Sequence, residues 1–152
     1  VLLNVFTVPI TTGMALANEY LITGNADSTV RIWNLYDGQP LVTLAGPHKH
    51  ESAVTSIAVL PHGLLVTSSD DGTAKLWDIC TGTKTLFFIE TLLRTGHFIR
   101  DLVRLPRPTN GDNTGCIWRL KATPTRLVCA AGSRAHTDPT LLIVLDFGAA
   151  YP

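Results

Sequence analysis

The 152-residue chain has few cysteines and no long apolar run. Its three cysteines, Cys80, Cys116 and Cys129, are odd in number and widely spaced, which argues against a disulfide framework or a zinc knuckle. We therefore predict that the three cysteines are reduced, buried thiols of an intracellular protein. No apolar stretch approaches the ~18 residues of a membrane-spanning helix, and the first residues lack the features of a signal peptide. We therefore expect a soluble chain with no membrane partner.

Net charge is also absent, because 12 basic residues balance 12 acidic ones. A neutral total gives no overall attraction to nucleic acid, and we expect no nucleic-acid partner. The total hides an asymmetry: residues 1–93 hold four basic and eight acidic side chains, whereas residues 94–152 hold eight and four. With 45% hydrophobic and 16% charged residues, the composition excludes disorder, collagen and coiled coil.

An internal repeat is the strongest signal that the sequence contains. Residues 21–34 (LITGNADSTVRIWN) match residues 65–78 (LVTSSDDGTAKLWD) at an offset of 44. Each copy reads as an apolar run, a turn that carries an Asp, a second run with alternating side chains, and a Trp. A weaker third copy, residues 117–134, lies at an offset of 64 from residues 53–70. The chain is therefore predicted to consist of repeated β-hairpins.

A period near 44 with short strands and Trp-Asp endings resembles the blades of WD-repeat β-propellers, which repeat every ~40–45 residues with four strands each. The resemblance implies an all-β fold of about three four-stranded blades, of which the last lacks its outer strand. The expected blades cover residues 10–44, 53–105 and 115–147. Residues 1–9 form a divergent N-terminal segment, and residues 148–152 form a tail.

In WD repeats a His, a hydroxyl residue, an Asp and the Trp form a buried hydrogen-bonded set. The corresponding residues are His50, Thr67, Asp71 and Trp77 in the second repeat and Thr23, Asp27 and Trp33 in the first. The first repeat has no His near residues 1–9, and the third has Ala131 where the hydroxyl belongs. Only the middle blade is expected to hold the complete set.

The amino-acid sequence also resembles one family of WD-repeat proteins more closely than the general repeat pattern. Residues 21–33, 46–55, 67–78 and 127–134 are similar to consecutive stretches at the C-terminal end of F-box/WD-repeat proteins, the substrate receptors of SCF ubiquitin ligases. The resemblance implies a non-catalytic module that binds phosphorylated protein substrates for ubiquitin-dependent degradation, in nucleus and cytoplasm. Contact with the Skp1–cullin complex would require an F-box, which this chain does not contain. The alternative is a generic WD-repeat scaffold, or a truncated fragment without degron binding.

In the resembled family, arginines at two repeat positions line the phosphate pocket, and here those positions hold Arg119 and Arg134. Arg suits this role because its planar fork can grip phosphate oxygens. The alternative is that both are ordinary surface arginines. His48 and His50 have His-x-His spacing but lack supporting ligands, so no metal is predicted. No nucleophile motif or phosphate loop is present, and we expect neither a catalytic site nor a cofactor.

An insert is predicted at about residues 83–96, because Thr-Gly occurs twice, at residues 81–82 and 95–96. The family pattern places the outer strand of the second blade after the second Thr-Gly, at residues 98–105. The apolar residues 85–90 are then extra. They could be a surface loop, a competing outer strand or translated intron.

Overall fold

The computed structural model describes residues 5, 7–79, 96–106, 115–133 and 139–148. The strands are β1 Thr11–Ala17, β2 Tyr20–Asn25, β3 Val30–Asn34, β4 Pro40–Leu44, β5 Val54–Leu60, β6 Leu64–Ser69, β7 Thr73–Asp78, β8 His97–Arg104, β9 Gly115–Ala122, β10 Arg126–Ser133 and β11 Leu141–Asp146. A 3-10 turn, Pro61–Gly63, joins β5 to β6. No helix among the described residues is long and apolar enough to cross a membrane.

The strands form three antiparallel sheets in which each strand pairs with the next along the chain. We call them blade 1 (β1–β4), blade 2 (β5–β8) and blade 3 (β9–β11). The all-β prediction is confirmed. Blade 3 has three strands in the described part of the chain, as expected for a blade without its outer strand. In blade 2 the outer strand is β8, which pairs with β7 and begins at His97.

The hairpin turns follow from the Asp in each repeat. In blade 1, Asp27 accepts the backbone N–H of Thr29 at 3.1 Å, and in blade 2, Asp71 accepts that of Thr73 at 2.8 Å. A carboxylate that binds the backbone two residues later closes a turn locally. The local sequence alone therefore fixes where β2 and β6 end.

The hydrophobic core lies between the blades, as two layers. Side chains alternate across a strand, so each sheet has two faces that can be covered. The layer between blades 1 and 2 consists of Ile22, Val30, Ile32, Val42, Leu44, Val54, Leu65 and Trp77. The layer between blades 2 and 3 consists of Leu60, Val66, Ala74, Val103, Ile117, Leu120, Leu127, Cys129 and Ala131.

The innermost strands β1, β5 and β9 lie side by side and are linked through β-bulges. Thr12 is the extra residue of the bulge in β1, and its hydroxyl donates to the carbonyl of Val54 in β5. Thr55 is the extra residue in β5, and its hydroxyl donates to the carbonyl of Ile117 in β9. A bulge re-aims the side chain of its extra residue, and here it directs each hydroxyl to the next blade.

The third repeat does not keep the offset of 64. That offset places Ala131 opposite Lys121, but the structure pairs Ala131 with Ile117 and Lys121 with Val128. The turn sets this register, since the Thr123 N–H donates to the Arg126 carbonyl at 2.8 Å. Trp118, and not Arg119, is consequently the bulge residue that corresponds to Thr55.

The same shift corrects the hydroxyl position of the third repeat. Thr67 pairs with Ile57 in blade 2, and the equivalent pair in blade 3 is Cys129 with Leu120. The buried Cys129 thus takes the place that the offset assigned to Ala131. Burial raises the pKa of its thiol to about 11, so it stays protonated and inert.

Several predictions from the sequence lie outside the described residues. Arg134, Cys80 and nearly the whole insert at residues 83–96 belong to this group, as do most of residues 1–9 and of the tail. Among the described residues, Cys116 and Cys129 are buried thiols that form no disulfide.

Candidate functional site

The predicted set of blade 2 forms one buried hydrogen-bonded chain. The Trp77 indole N–H donates to Thr67 Oγ1 at 2.9 Å, and Thr67 Oγ1 lies 2.7 Å from His50 Nε2. His50 Nδ1 lies 3.1 Å from Asp71 Oδ2. Because an ionised carboxylate can only accept, Nδ1 carries the hydrogen that points to Asp71, and in the neutral imidazole Nε2 then accepts from the Thr67 hydroxyl. The chain therefore has one consistent direction, from Trp77 to Asp71.

Asp71 is the acceptor at which this chain ends. Its carboxylate also accepts the Glu51 N–H at 2.8 Å and the Thr73 hydroxyl at 2.6 Å. Burial opposes ionisation, but the hydrogen bonds from His50 and Thr73 outweigh it and hold the pKa of Asp71 well below its usual range. Every member of the chain is engaged, so its role is to fix the loop before β5 on the β6–β7 hairpin.

Blade 1 repeats only part of this arrangement. The Trp33 indole N–H donates to Thr23 Oγ1 at 3.0 Å, as in blade 2. Asp27, however, binds no His, and its second oxygen accepts from Arg31 Nη2 at 2.8 Å. The carboxylate side chain of Asp27 is 47% exposed, whereas that of Asp71 is 6% exposed. The acid of blade 1 is therefore a surface turn residue.

A second ionic cluster in blade 2 was missed by the sequence reasoning. Lys75 is buried, and its ammonium lies 2.8 Å from Asp101 Oδ1 in β8 and 5.1 Å from the centre of the Phe98 ring. Arg104 binds the other oxygen of Asp101. The sequence could have indicated this ion pair only if the strand of Lys75 had been paired with the strand of Asp101, 26 residues later. No local pattern reveals that pairing.

A groove of about 350 Å³ crosses the innermost strands and contains Arg119. The residues that line it come from β1, β5 and β9. They are Gly13, Met14, Thr55, Ser56, Ile57, Ala58, Arg119, Leu120, Lys121 and Ala122. The groove thus brings Arg119 together with a cation that the sequence analysis did not single out, Lys121.

The groove is positively charged because its two cations have no counter-charge. Arg119 and Lys121 are both exposed, and no Asp or Glu lines the groove. Neither cation has a hydrogen-bond or ion-pair partner among the described residues. Two free cations beside a concave surface favour an anionic ligand. The signal for Lys121 in the sequence was its spacing of two residues from Arg119, which places both on one face of a strand.

A larger cavity, of about 520 Å³, lies beside the loop before β5 and has a different character. Of its three cations, Lys75 and Arg104 bind Asp101 and Lys49 binds Ser28, and the acids Glu51 and Asp71 also line it. The His48 ring stacks on Phe98 with 4.5 Å between ring centres. This cavity is internally neutralised, so the groove at Arg119 is the stronger candidate for a ligand site.

Comparison with known proteins agrees with the repeat architecture. The family model described as "WD domain, G-beta repeat" matches residues 14–34 and 38–78. The WD40 β-propeller domain of Doa1 superimposes with a TM-score of 0.56 at 20% identity, over 79% of this chain and 32% of that one. Residues 14–34 and 38–78 are therefore WD repeats, and the described sheets have the fold of β-propeller blades.

The names of two curated relatives include the term F-box. F-box/WD repeat-containing protein sel-10 of Caenorhabditis elegans is 45% identical over 94% of this chain and 21% of its own length. F-box/WD repeat-containing protein 7 of Drosophila melanogaster is 50% identical over 33% of this chain and 4% of its own length. The chain thus spans about a fifth or less of the length of these relatives.

Proposed function

We propose that this chain, whose WD40 repeats are similar to those of F-box/WD-repeat proteins, is part of a non-catalytic receptor that binds phosphorylated proteins for ubiquitin ligation. The similarity to sel-10 across 94% of the chain supports the family part of this proposal. The phosphorylated ligand, the link to a Skp1–cullin complex through an F-box, and the presence in nucleus and cytoplasm are all part of the proposal.

The observation that carries the proposal is the state of Arg119. Its guanidinium is exposed beside a groove that no carboxylate lines, and it has no partner in the described residues. A guanidinium offers several N–H donors in one plane, which suits a phosphate monoester. Arg134 remains a predicted second contributor, and it lies outside the described residues.

A general protein-binding scaffold is the second candidate, and a different observation favours it. Leu142 and Val144 of β11 are 70% and 60% exposed, and Met14 and Leu16 of β1 are each 68% exposed. Apolar side chains exposed in pairs on strands are typical of surfaces that other proteins cover. A scaffold of this kind would bind its partners without regard to phosphorylation.

A binding measurement with a fluorescent Thr-Pro peptide separates the two candidates. The receptor predicts that the phosphorylated peptide binds the 152-residue chain and that the unphosphorylated peptide does not. Arg119→Gln should weaken binding of the phosphopeptide by about tenfold or more, since a hydrogen bond to a charged group is lost. The matched control is Arg126→Gln, because Arg126 is exposed on the same blade but lies 3.4 Å from Asp146 and outside the groove.

Equal binding of both peptides would favour the scaffold and contradict the receptor. Equal losses in Arg119→Gln and Arg126→Gln would show that only overall charge matters. Circular dichroism of each variant establishes that the sheets are retained.

A further inference from the structure

We propose that Thr123 is a phosphorylation site for a proline-directed protein kinase, and that Arg126 holds the phosphate within the turn between β9 and β10. This inference goes beyond the proposed function and does not depend on it. It concerns a covalent modification of this chain, whereas the proposed function concerns a ligand of the groove.

The sequence around Thr123 has the two features that such a kinase selects. Thr123 is the only Ser or Thr of the chain that is directly followed by proline. Proline-directed kinases accept this pair because proline has no backbone N–H, so none is left unsatisfied in the kinase active site. Arg126 stands three residues after Thr123, at a position where several kinases of this class require a basic side chain. The segment 123–126, TPTR, therefore fits their substrates.

The structure places this segment at the surface. All four residues 123–126 are exposed, in the short turn that joins β9 to β10. The hydroxyl residues 67–69 of blade 2, by contrast, are fully buried and engaged in the packing of the sheet. The only Thr-Pro pair of the chain thus lies where a second protein can reach it.

The Thr123 hydroxyl is free to react, because its donor bond is weak. Its oxygen accepts the Arg126 N–H at 3.0 Å, whereas its own hydrogen has only the Arg126 carbonyl, at 3.4 Å. In the transfer, Thr123 Oγ1 bonds to the γ-phosphorus of ATP while the bond from that phosphorus to the bridging oxygen breaks. ADP leaves, and the hydroxyl proton passes to the catalytic base of the kinase.

Access for a kinase requires only that the turn opens. Three hydrogen bonds close it: the Thr123 N–H to the Arg126 carbonyl at 2.8 Å, the Arg126 N–H to Thr123 Oγ1, and the Phe147 N–H to the Thr125 carbonyl at 2.6 Å. The tip of a hairpin opens at a much lower free energy than the sheet that carries it. The strands can therefore stay paired while the tip is modified.

The surroundings of Thr123 suit a phosphate. Phosphothreonine carries a charge of about −1.5 to −2 at pH 7 and offers three acceptor oxygens. The Arg126 guanidinium is 67% exposed and lies 3.4 Å from Asp146 Oδ2, which makes a weak surface pair. No Asp or Glu occurs between residues 113 and 137. The phosphate is thus a stronger partner for Arg126 than Asp146 is, and it should stabilise the turn.

The test incubates the 152-residue chain with a purified cyclin-dependent kinase and ATP, and locates phosphate by mass spectrometry of proteolytic peptides. We expect one phosphate per chain, on Thr123. Thr123→Ala and Pro124→Ala should each lose it. Thr125→Ala is the matched control, because it removes an exposed hydroxyl of the same turn that no proline follows, and it should be modified like the unaltered chain.

A synthetic peptide of residues 119–129 separates the effect of sequence from that of the fold. If the peptide is modified and the folded chain is not, the turn is closed to the kinase and the inference is wrong. Modification of neither, or of Thr125 in place of Thr123, would also overturn it. Circular dichroism of each variant shows whether a loss of phosphate reflects a loss of the sheets.

Thermal unfolding of the modified chain tests the role of Arg126. Phosphorylation should raise the unfolding midpoint by about 1–2 °C, as expected for one additional surface ion pair. Arg126→Lys keeps the charge that the kinase requires but removes the planar fork, so its modified form should show a smaller rise. A midpoint that is unchanged or lower after phosphorylation would show that Arg126 does not hold the phosphate.

Discussion

The hairpins of blades 1 and 2 have nearly the same sequence pattern, 44 residues apart, and yet their acids have different partners. Asp27 is half exposed and binds Arg31 on its own hairpin, whereas Asp71 is buried and binds His50 from the preceding loop. Both hairpins keep the bond from Trp to Thr, at 3.0 and 2.9 Å. The two acids therefore differ in whether a residue from outside the hairpin binds the carboxylate.

The cation on β3 and its counterpart on β7 show the same contrast. Lys75 lies 44 residues after Arg31, but it crosses to Asp101 on the outer strand instead of returning to the turn acid. The residue opposite Arg31 on the outer strand of blade 1 is Thr43, which offers no charge. In blade 2, Asp101 on the outer strand thus binds Lys75, and Asp71 is left available to His50.

We expect the largest effect on stability from replacing the two turn acids, each in its own variant. Asp71→Ala should lower the free energy of unfolding by about 3 kcal/mol, because it removes the carboxylate that accepts from the buried His50 ring and the buried Thr73 hydroxyl. Asp27→Ala should cost about 1 kcal/mol, since Asp27 is exposed and solvent replaces its bonds. Urea unfolding followed by tryptophan fluorescence measures both. Equal losses would show that the two acids are equivalent.

A second substitution makes blade 2 resemble blade 1. Asp101→Thr leaves the buried ammonium of Lys75 without its carboxylate, and we expect a loss of about 2–3 kcal/mol in the free energy of unfolding. Combining it with Lys75→Met should recover much of the loss, because the buried charge is then gone. A double variant as unstable as Asp101→Thr alone would contradict the account.

The turn residues allow a smaller and sharper comparison. Gly72 has φ +79, and a Cβ there would lie 2.6 Å from the Gly115 carbonyl of blade 3. Its counterpart in blade 1 is Ser28, with φ 68. Gly72→Ser should cost about 2 kcal/mol of unfolding free energy through this close contact, whereas Ser28→Gly should change stability by about 0.5 kcal/mol or less. Equal effects in urea unfolding would mean that the contact with blade 3 does not matter.

The smallest effect at neutral pH is expected from titration of Asp71, Asp27 and Asp101, since these three carboxylates do not change charge there. The pKa values of Asp71, Asp27 and Asp101 are all held below the ordinary value. The unfolded state consequently binds more protons in acid, so stability is complete above about pH 4 and falls as the pH decreases further. Asp71→Asn should flatten this loss more than Asp27→Asn does. Unfolding midpoints between pH 2 and pH 7 test it, and identical profiles would place the dependence elsewhere.

The sequence predicted the hairpins well because their determinants are local. Alternating side chains mark the strands, and an Asp two residues before a Thr closes the turn, as at Asp27 and Asp71. The bond from Trp77 to Thr67 spans ten residues within one hairpin. The third repeat was aligned incorrectly because the Thr123–Arg126 turn, and not the repeat offset, sets the register of β9 and β10.

What only the tertiary structure decided is which charges find partners. By itself the sequence determined the all-β fold, the repeat and the position of Arg119 on an inner strand. It did not show that Lys75 is buried against Asp101 or that Lys121 is exposed in the groove. The physical reason is range: turns and strand alternation depend on neighbouring residues, whereas the neutralisation of a charge depends on which distant strand packs beside it.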